Sequence, residues 1–137
     1  MKHHRSLASR LLAALTWTRE LPPIETPDRI RVERTHPKQL LAELKELQQI
    51  APVVGFINAR LAGWSVPYYG PPVGQVYLFL YKNGEFIGDF YVGPWFFGRD
   101  YGDFFSQRAT KEEIARLEHM LGVPLAEIVN ANSVRPK

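Results

Sequence analysis

The sequence predicts an α+β fold, an antiparallel sheet of 4–5 strands with helices packed on one face, in the order helix, strand, helix, strands, helix. Three observations carry this reading. Asn83–Gly84 stands between two aromatic runs, Gln75–Tyr81 and Glu85–Val92, and this dipeptide tolerates the positive φ angles of a tight hairpin turn. Leu40, Leu41, Leu44, Leu47 and Ile50 recur at helical spacing. Thr110 and Glu113 form a capping box ahead of a second apolar stripe, Ile114, Leu117 and Leu121.

The elements follow in order. Leu7, Leu11 and Leu15 predict a short basic helix over 5–19, which docks on the body or reaches for an anionic surface or partner. The prolines of Leu21–Pro22–Pro23 and Thr26–Pro27 end it, so 1–27 reads as a basic helix with a Pro-rich connection and 28–137 as a single α+β domain. Ile30 and Val32 alternate with charged residues, the two-residue period of a half-buried strand. Thr35 or His36 is placed to cap a helix that starts at Pro37 and stops at Ala51–Pro52. Val53 to Leu61 reads as a strand with Gly55 as a bulge, and 63–74, with three prolines and three glycines, as a long loop.

In the hairpin, counting outward from Asn83–Gly84 sets Lys82 opposite Glu85, Tyr81 opposite Phe86 and Tyr77 opposite Phe90. One face then carries Tyr77, Phe79, Tyr81, Phe86 and Phe90; the other carries Val76, Leu78, Leu80, Ile87 and Tyr91, with Asp89 among them. Both faces are apolar, so something must cover each. Residues 98–103 read as a turn, Phe104–Phe105 as a short last strand, Gly122 as a helix stop and Leu125–Val129 as a final short helix.

The 137 residues suffice for one hydrophobic core, and 45% hydrophobic with 23% charged residues is a globular composition. The net charge of +3 belongs to the N-terminus, where Lys2, Arg5, Arg10 and Arg19 meet no acid within the first 19 residues. The remainder is slightly acidic, which argues against nucleic-acid binding by the folded body and leaves nucleic-acid binding through the basic N-terminus as an alternative. The absence of cysteine excludes disulfides, thiolate metal sites and cysteine nucleophiles. Arg10 interrupts the apolar stretch a secretory signal requires and no segment approaches a membrane span, so a cytoplasmic location is expected, with an extracytoplasmic one left open.

Catalytic motifs, a metal site and a cofactor site are not expected. His3, His4, His36 and His119 lack the spacing of zinc ligands, and no serine has a nucleophile-elbow context. Asp89, Asp100 and Asp103 lie among aromatic residues, an arrangement that would suit a small carbohydrate-active or hydrolytic protein. For Asp100 and Asp103 a turn role is the simpler reading, and for Asp89 an ion pair with Arg60 or Arg99. The remaining lead is aromatic: Trp64, Tyr68 and Tyr69 in the long loop, with Trp95, Phe97, Arg99 and Tyr101 after the hairpin, as a surface for a protein partner or a second copy of the chain.

From Asp28 to Gly122, including Tyr81–Lys82–Asn83–Gly84 and Thr110–Lys111–Glu112–Glu113, the layout resembles small bacterial α+β domains of unknown function, many of them lipoprotein or extracytoplasmic modules. The chain departs from the lipoprotein version in having no cysteine to carry lipid, and the resemblance transfers no functional residue. By size and type it is also similar to bacterial inhibitors and toxin-neutralising domains. The two-sided apolar hairpin beside the aromatic loop 63–74 and the segment 94–105 points to a non-enzymatic interaction module.

Overall fold

In the computed structural model, which describes residues 18–67 and 73–131, the order of elements departs from the sequence expectation in its first half. The strands are β1 (Arg29–Thr35), β2 (Lys38–Leu44), β3 (Val76–Lys82), β4 (Glu85–Val92), β5 (Phe96–Asp100) and β6 (Phe104–Arg108). The helices are α1 (Leu47–Asn58), α2 (Lys111–Leu121) and α3 (Leu125–Ala131). The described residues thus form an α+β fold with a six-stranded antiparallel sheet, ordered β2-β1-β3-β4-β5-β6, rather than one of 4–5 strands. The helix expected over 5–19 lies almost wholly outside the described residues; Arg19, at its end, forms a β-bridge with Trp64.

Two elements exchange identity. The leucine run expected to be helical is strand β2, and the β-branched run expected to be a strand is helix α1. β2 turns back at His36–Pro37, joined by a cis peptide bond, and pairs along β1 from Thr35–Lys38 to Ile30–Leu44. In this setting only Leu44 of its three leucines is fully buried, and Leu40 remains 46% exposed. Helix α1 is capped instead by Glu46, whose N–H donates to the Gln49 side chain. Its buried residues, Ile50, Val53, Val54, Phe56 and Ile57, have helical spacing. Pro52 sits inside this helix; it and Gln48, whose carbonyl loses its partner, are both exposed, so water can replace the missing bond.

The C-terminal half forms much as the local signals dictate. Asn83 and Gly84 both adopt positive φ, 52° and 82°, as a type I′ turn demands. Thr110 caps α2 by accepting the N–H of Glu113, while the Glu113 carboxylate accepts the N–H of Thr110. Gly122 ends that helix in the left-handed region. The segment expected to be a turn over 98–103 is divided: 98–100 complete β5, and only 101–103 form the connection to β6.

One core lies between the sheet and the helices. Ile30, Val32, Val76, Leu78, Leu80, Phe90 and Val92 point from the sheet toward Ile50, Val53, Ile57, Leu117 and Leu125, and all are at most 1% exposed. Phe56 of α1 meets Phe90 and Phe97 edge to face, with ring centroids 6.4 and 5.6 Å apart. No helix is long and apolar enough to cross a membrane among the described residues.

The identity of α1 is directly testable. Gly55 is exposed on it with nothing within 4 Å of an added Cβ, so Gly55→Ala should raise unfolding free energy by about 0.5–1 kcal/mol through helix propensity. Urea denaturation reads this change, and a neutral or destabilising result would contradict a helix there.

Candidate functional site

The hairpin ladder starts in the expected register, Lys82 with Glu85 and Tyr81 with Phe86, and then shifts. Leu80 faces Gly88, so Ile87 is an extra residue on β4, and beyond it Phe79 faces Asp89, Leu78 faces Phe90 and Tyr77 faces Tyr91. This bulge corrects the expected pairing of Tyr77 with Phe90. It also reassigns the faces: Phe90 enters the core, while Asp89 and Tyr91 join Tyr77, Phe79, Tyr81 and Phe86 on the side away from the helices.

On that outer side the rings stand in a row. Tyr77 stacks on Phe79 at 5.5 Å and on Tyr91 at 4.6 Å, with interplanar angles of 15° and 23°. Phe86 packs on both Phe79 and Tyr81, and Arg29 covers the Tyr81 ring at 5.0 Å. Tyr91 lies flat over Gly98, where an added Cβ would fall 1.9 Å from Cε2, and beside Gly74, where it would fall 2.8 Å from Cδ2. The two glycines are therefore required for the close approach of this ring. Its hydroxyl donates to Asp100 Oδ1 at 2.9 Å. Burial and the neighbouring Asp100 push the Tyr91 hydroxyl pKa well up, so it remains a donor.

Two grooves flank this row. One lies between the rings of Phe79, Tyr81 and Phe86 and the β1–β2 end, lined by Glu33, Arg34, Thr35 and Lys38, with a volume of about 420 Å³. Phe86 is 56% exposed there. The second, of about 300 Å³, lies where β4 and β5 part, since these strands pair only at Tyr91–Gly98 and Val92–Phe97. Past that point Asp89 Oδ1 accepts the Asp100 N–H at 3.0 Å, a side chain standing in for the next rung of the ladder. The extended segment Pro22–Glu25 forms the opposite wall, held by Ile24 N–H on Asn58 Oδ1 and by a 2.7 Å ion pair between Glu25 and Lys82.

Asp89 is 6% exposed, and burial first, then the Asp100 carboxylate within hydrogen-bonding reach, raises its pKa to about 7. Arg99, 4% exposed, lies in the same cleft; its Nη1 is buried without a hydrogen-bond partner, and burial lowers its pKa. A buried, unpaired donor of this kind costs about 1–3 kcal/mol. Asp89 makes no ion pair with Arg99 among the described residues, and Arg60 pairs instead with Glu113 at 2.9 Å. Asp103 is a turn residue, accepting the Phe104 N–H.

No family model, curated protein or solved structure matches the chain. The site therefore rests on its own geometry. Of the aromatic surface expected from the sequence, Trp64 is fully buried, its Nε1 donating to the Arg60 carbonyl at 2.6 Å, and Phe97 is fully buried beside Phe90. Burial removes both from any contact surface. Arg99 is buried in the cleft rather than displayed, whereas Trp95 and Tyr101 are each 55% exposed. Tyr68 and Tyr69 lie outside the described residues. Phe79, Tyr81 and Phe86, which alternation already groups on one face, and Arg34 were not among the contact residues expected from the sequence; the bulge that adds Tyr91 and Asp89 to that face was signalled by Gly88. Among the described residues no group of three His, Asp or Glu side chains could hold a metal ion.

The Asp89 shift has a definite sign. The folded carboxyl titrates near 7 and its unfolded counterpart near 3.8, so the folded state retains a proton that the unfolded state loses. This group therefore destabilises the fold progressively from about pH 4 to about pH 7. Asn keeps the acceptor for the Asp100 N–H and never ionises. Asp89→Asn should thus match the wild type near pH 4 and exceed it above pH 7 by about 1–3 kcal/mol in urea denaturation. A variant less stable than wild type at the higher pH would contradict this environment.

Proposed function

We propose that the chain is a non-enzymatic binding module that recognises a protein partner with the outer face of its sheet. The observation carrying this reading is the row Tyr77, Phe79, Tyr81 and Phe86, which lies on the face the helices leave uncovered. Aromatic rings with an exposed edge and a nearby arginine are the usual anchors of protein interfaces. The groove beside them adds Arg34 and Lys38, neither of them in an ion pair among the described residues, so the partner segment is apolar with an acidic flank.

Other readings fit the geometry less well. Base stacking needs free ring faces, and those of Tyr77 are taken by Phe79 and Tyr91. Arg29 and Arg31 are engaged with Glu43 and Glu33 rather than open to phosphates. For glycoside hydrolysis, Asp89 is engaged with the Asp100 N–H and Asp100 with the Tyr91 hydroxyl, so both carboxyl groups already serve the sheet rather than stand apart across an open cleft.

A photo-crosslinking amino acid at Phe86 tests the reading in cells of the native host. A defined protein adduct should form from position 86 and not from Glu112, exposed on α2 behind the sheet. An adduct of twice the chain's mass would identify the partner as a second copy. Absence of any adduct at 86, or equal labelling from both positions, would refute the outer face as the binding surface.

A further inference from the structure

The cleft between β4 and β5 is chemically unlike the aromatic groove and shares no lining residue with it. Arg99 lines it with a buried guanidinium whose Nη1 has no hydrogen-bond partner, beside the Tyr101 ring at 5.7 Å. An anionic oxygen is the natural complement of such a donor. Yet Asp89, Asp100 and Glu25 also line the space, and three carboxyl groups oppose a simple anion such as phosphate. A ligand that satisfies both must carry a positive charge a short distance from its negative one. Pro22, Pro23, Ile24 and Ile87 supply apolar walls, and about 300 Å³ is at the small end of ligand sites.

We propose that this cleft binds a free α-amino acid with an apolar side chain, its carboxylate on Arg99 Nη1, its ammonium group toward Asp100 and Glu25, and its side chain against Ile24 and Ile87. The strap Pro22–Glu25 closes over it, tied to the hairpin by the Glu25–Lys82 pair. The protein would then carry a small-molecule site next to its protein-binding face, with Asp100 as the link, since it also accepts the hydroxyl of Tyr91 in the ring row. The assignment does not depend on the outer-face reading, because the two use different side chains.

Isothermal titration calorimetry of the full chain with leucine and phenylalanine tests it. Saturable binding is expected, weakened at least about tenfold when the carboxylate is capped in leucinamide or the amine is blocked in N-acetylleucine. Arg99→Met should abolish it, while Arg108→Met, exposed on β6, should leave it unchanged. Should Arg99→Met fail to fold, the capped analogues on the wild type still decide. No heat with either amino acid, or leucinamide binding as well as leucine, would overturn the proposal. N-acetylleucine or inorganic phosphate binding as well as leucine would overturn it too, by revealing a plain anion site.

Discussion

Ile87 has no partner across the hairpin, and the faces taken by Asp89, Phe90, Tyr91 and Val92 follow from that one extra residue. Without it, strict alternation would carry Asp89 and Tyr91 into the core and leave Phe90 and Val92 on the outer face. Burying a carboxylate and a phenol in place of Phe90 and Val92 would sacrifice apolar burial and strand polar groups without partners. The shift gives each residue the environment its chemistry prefers. Phe90 and Val92 become wholly buried, and Tyr91 finds Asp100 while Asp89 finds the Asp100 N–H. Ile87 itself packs against the core margin. A β-bulge is a local irregularity, but here it determines the composition of two surfaces at once.

The consequences extend to neighbouring strands through contact. Tyr91 occupies the space above Gly98, so β5 passes beneath the ring without a side chain at that point. The ring in turn stacks on Tyr77, and Tyr77 on Phe79, so the row is anchored at its buried end. On the far side of Tyr91 the strands separate, and a side-chain carboxylate takes over where the backbone ladder stops. The polar cleft is thus a product of the shifted register, whereas the aromatic groove rests on the rings that precede the bulge. An aromatic surface built on a sheet backed by helices is preorganised, which lowers the ordering cost of binding.

The contrast between what the sequence revealed and what it concealed has a physical basis. The Asn83–Gly84 turn, the Thr110–Glu113 capping box and the Gly122 stop depend on a few adjacent residues, and local chemistry is enough to read them. Residues 38–58 are different. Leu40, Leu44 and Leu47 satisfy a helical period, yet the open edge of β1 offers a whole ladder of hydrogen bonds to Lys38–Leu44, and that pairing overrides propensity. Pro52 read as a terminator because proline usually is one; its exposed position inside α1 makes the missing bond tolerable. The candidate site was half legible. Tyr77, Phe79, Tyr81 and Phe86 were grouped on one face by alternation, but the row was extended to Phe90 instead of Tyr91. Gly88 inside a strand pattern was the available sign of a bulge. Trp64 and Phe97 were misplaced because large rings serve cores and interfaces equally well.

Cross-strand nuclear Overhauser contacts in the hairpin measure this register directly. The bulged pairing predicts contacts between Tyr77 and Tyr91 and between Leu78 and Phe90, with Tyr81 still opposite Phe86. Contacts from Tyr77 to Phe90 and from Leu78 to Asp89 would mean an unbroken ladder. That result would return Tyr91 and Asp89 to the helix side and remove the polar cleft, leaving the groove beside Phe79, Tyr81 and Phe86 in place.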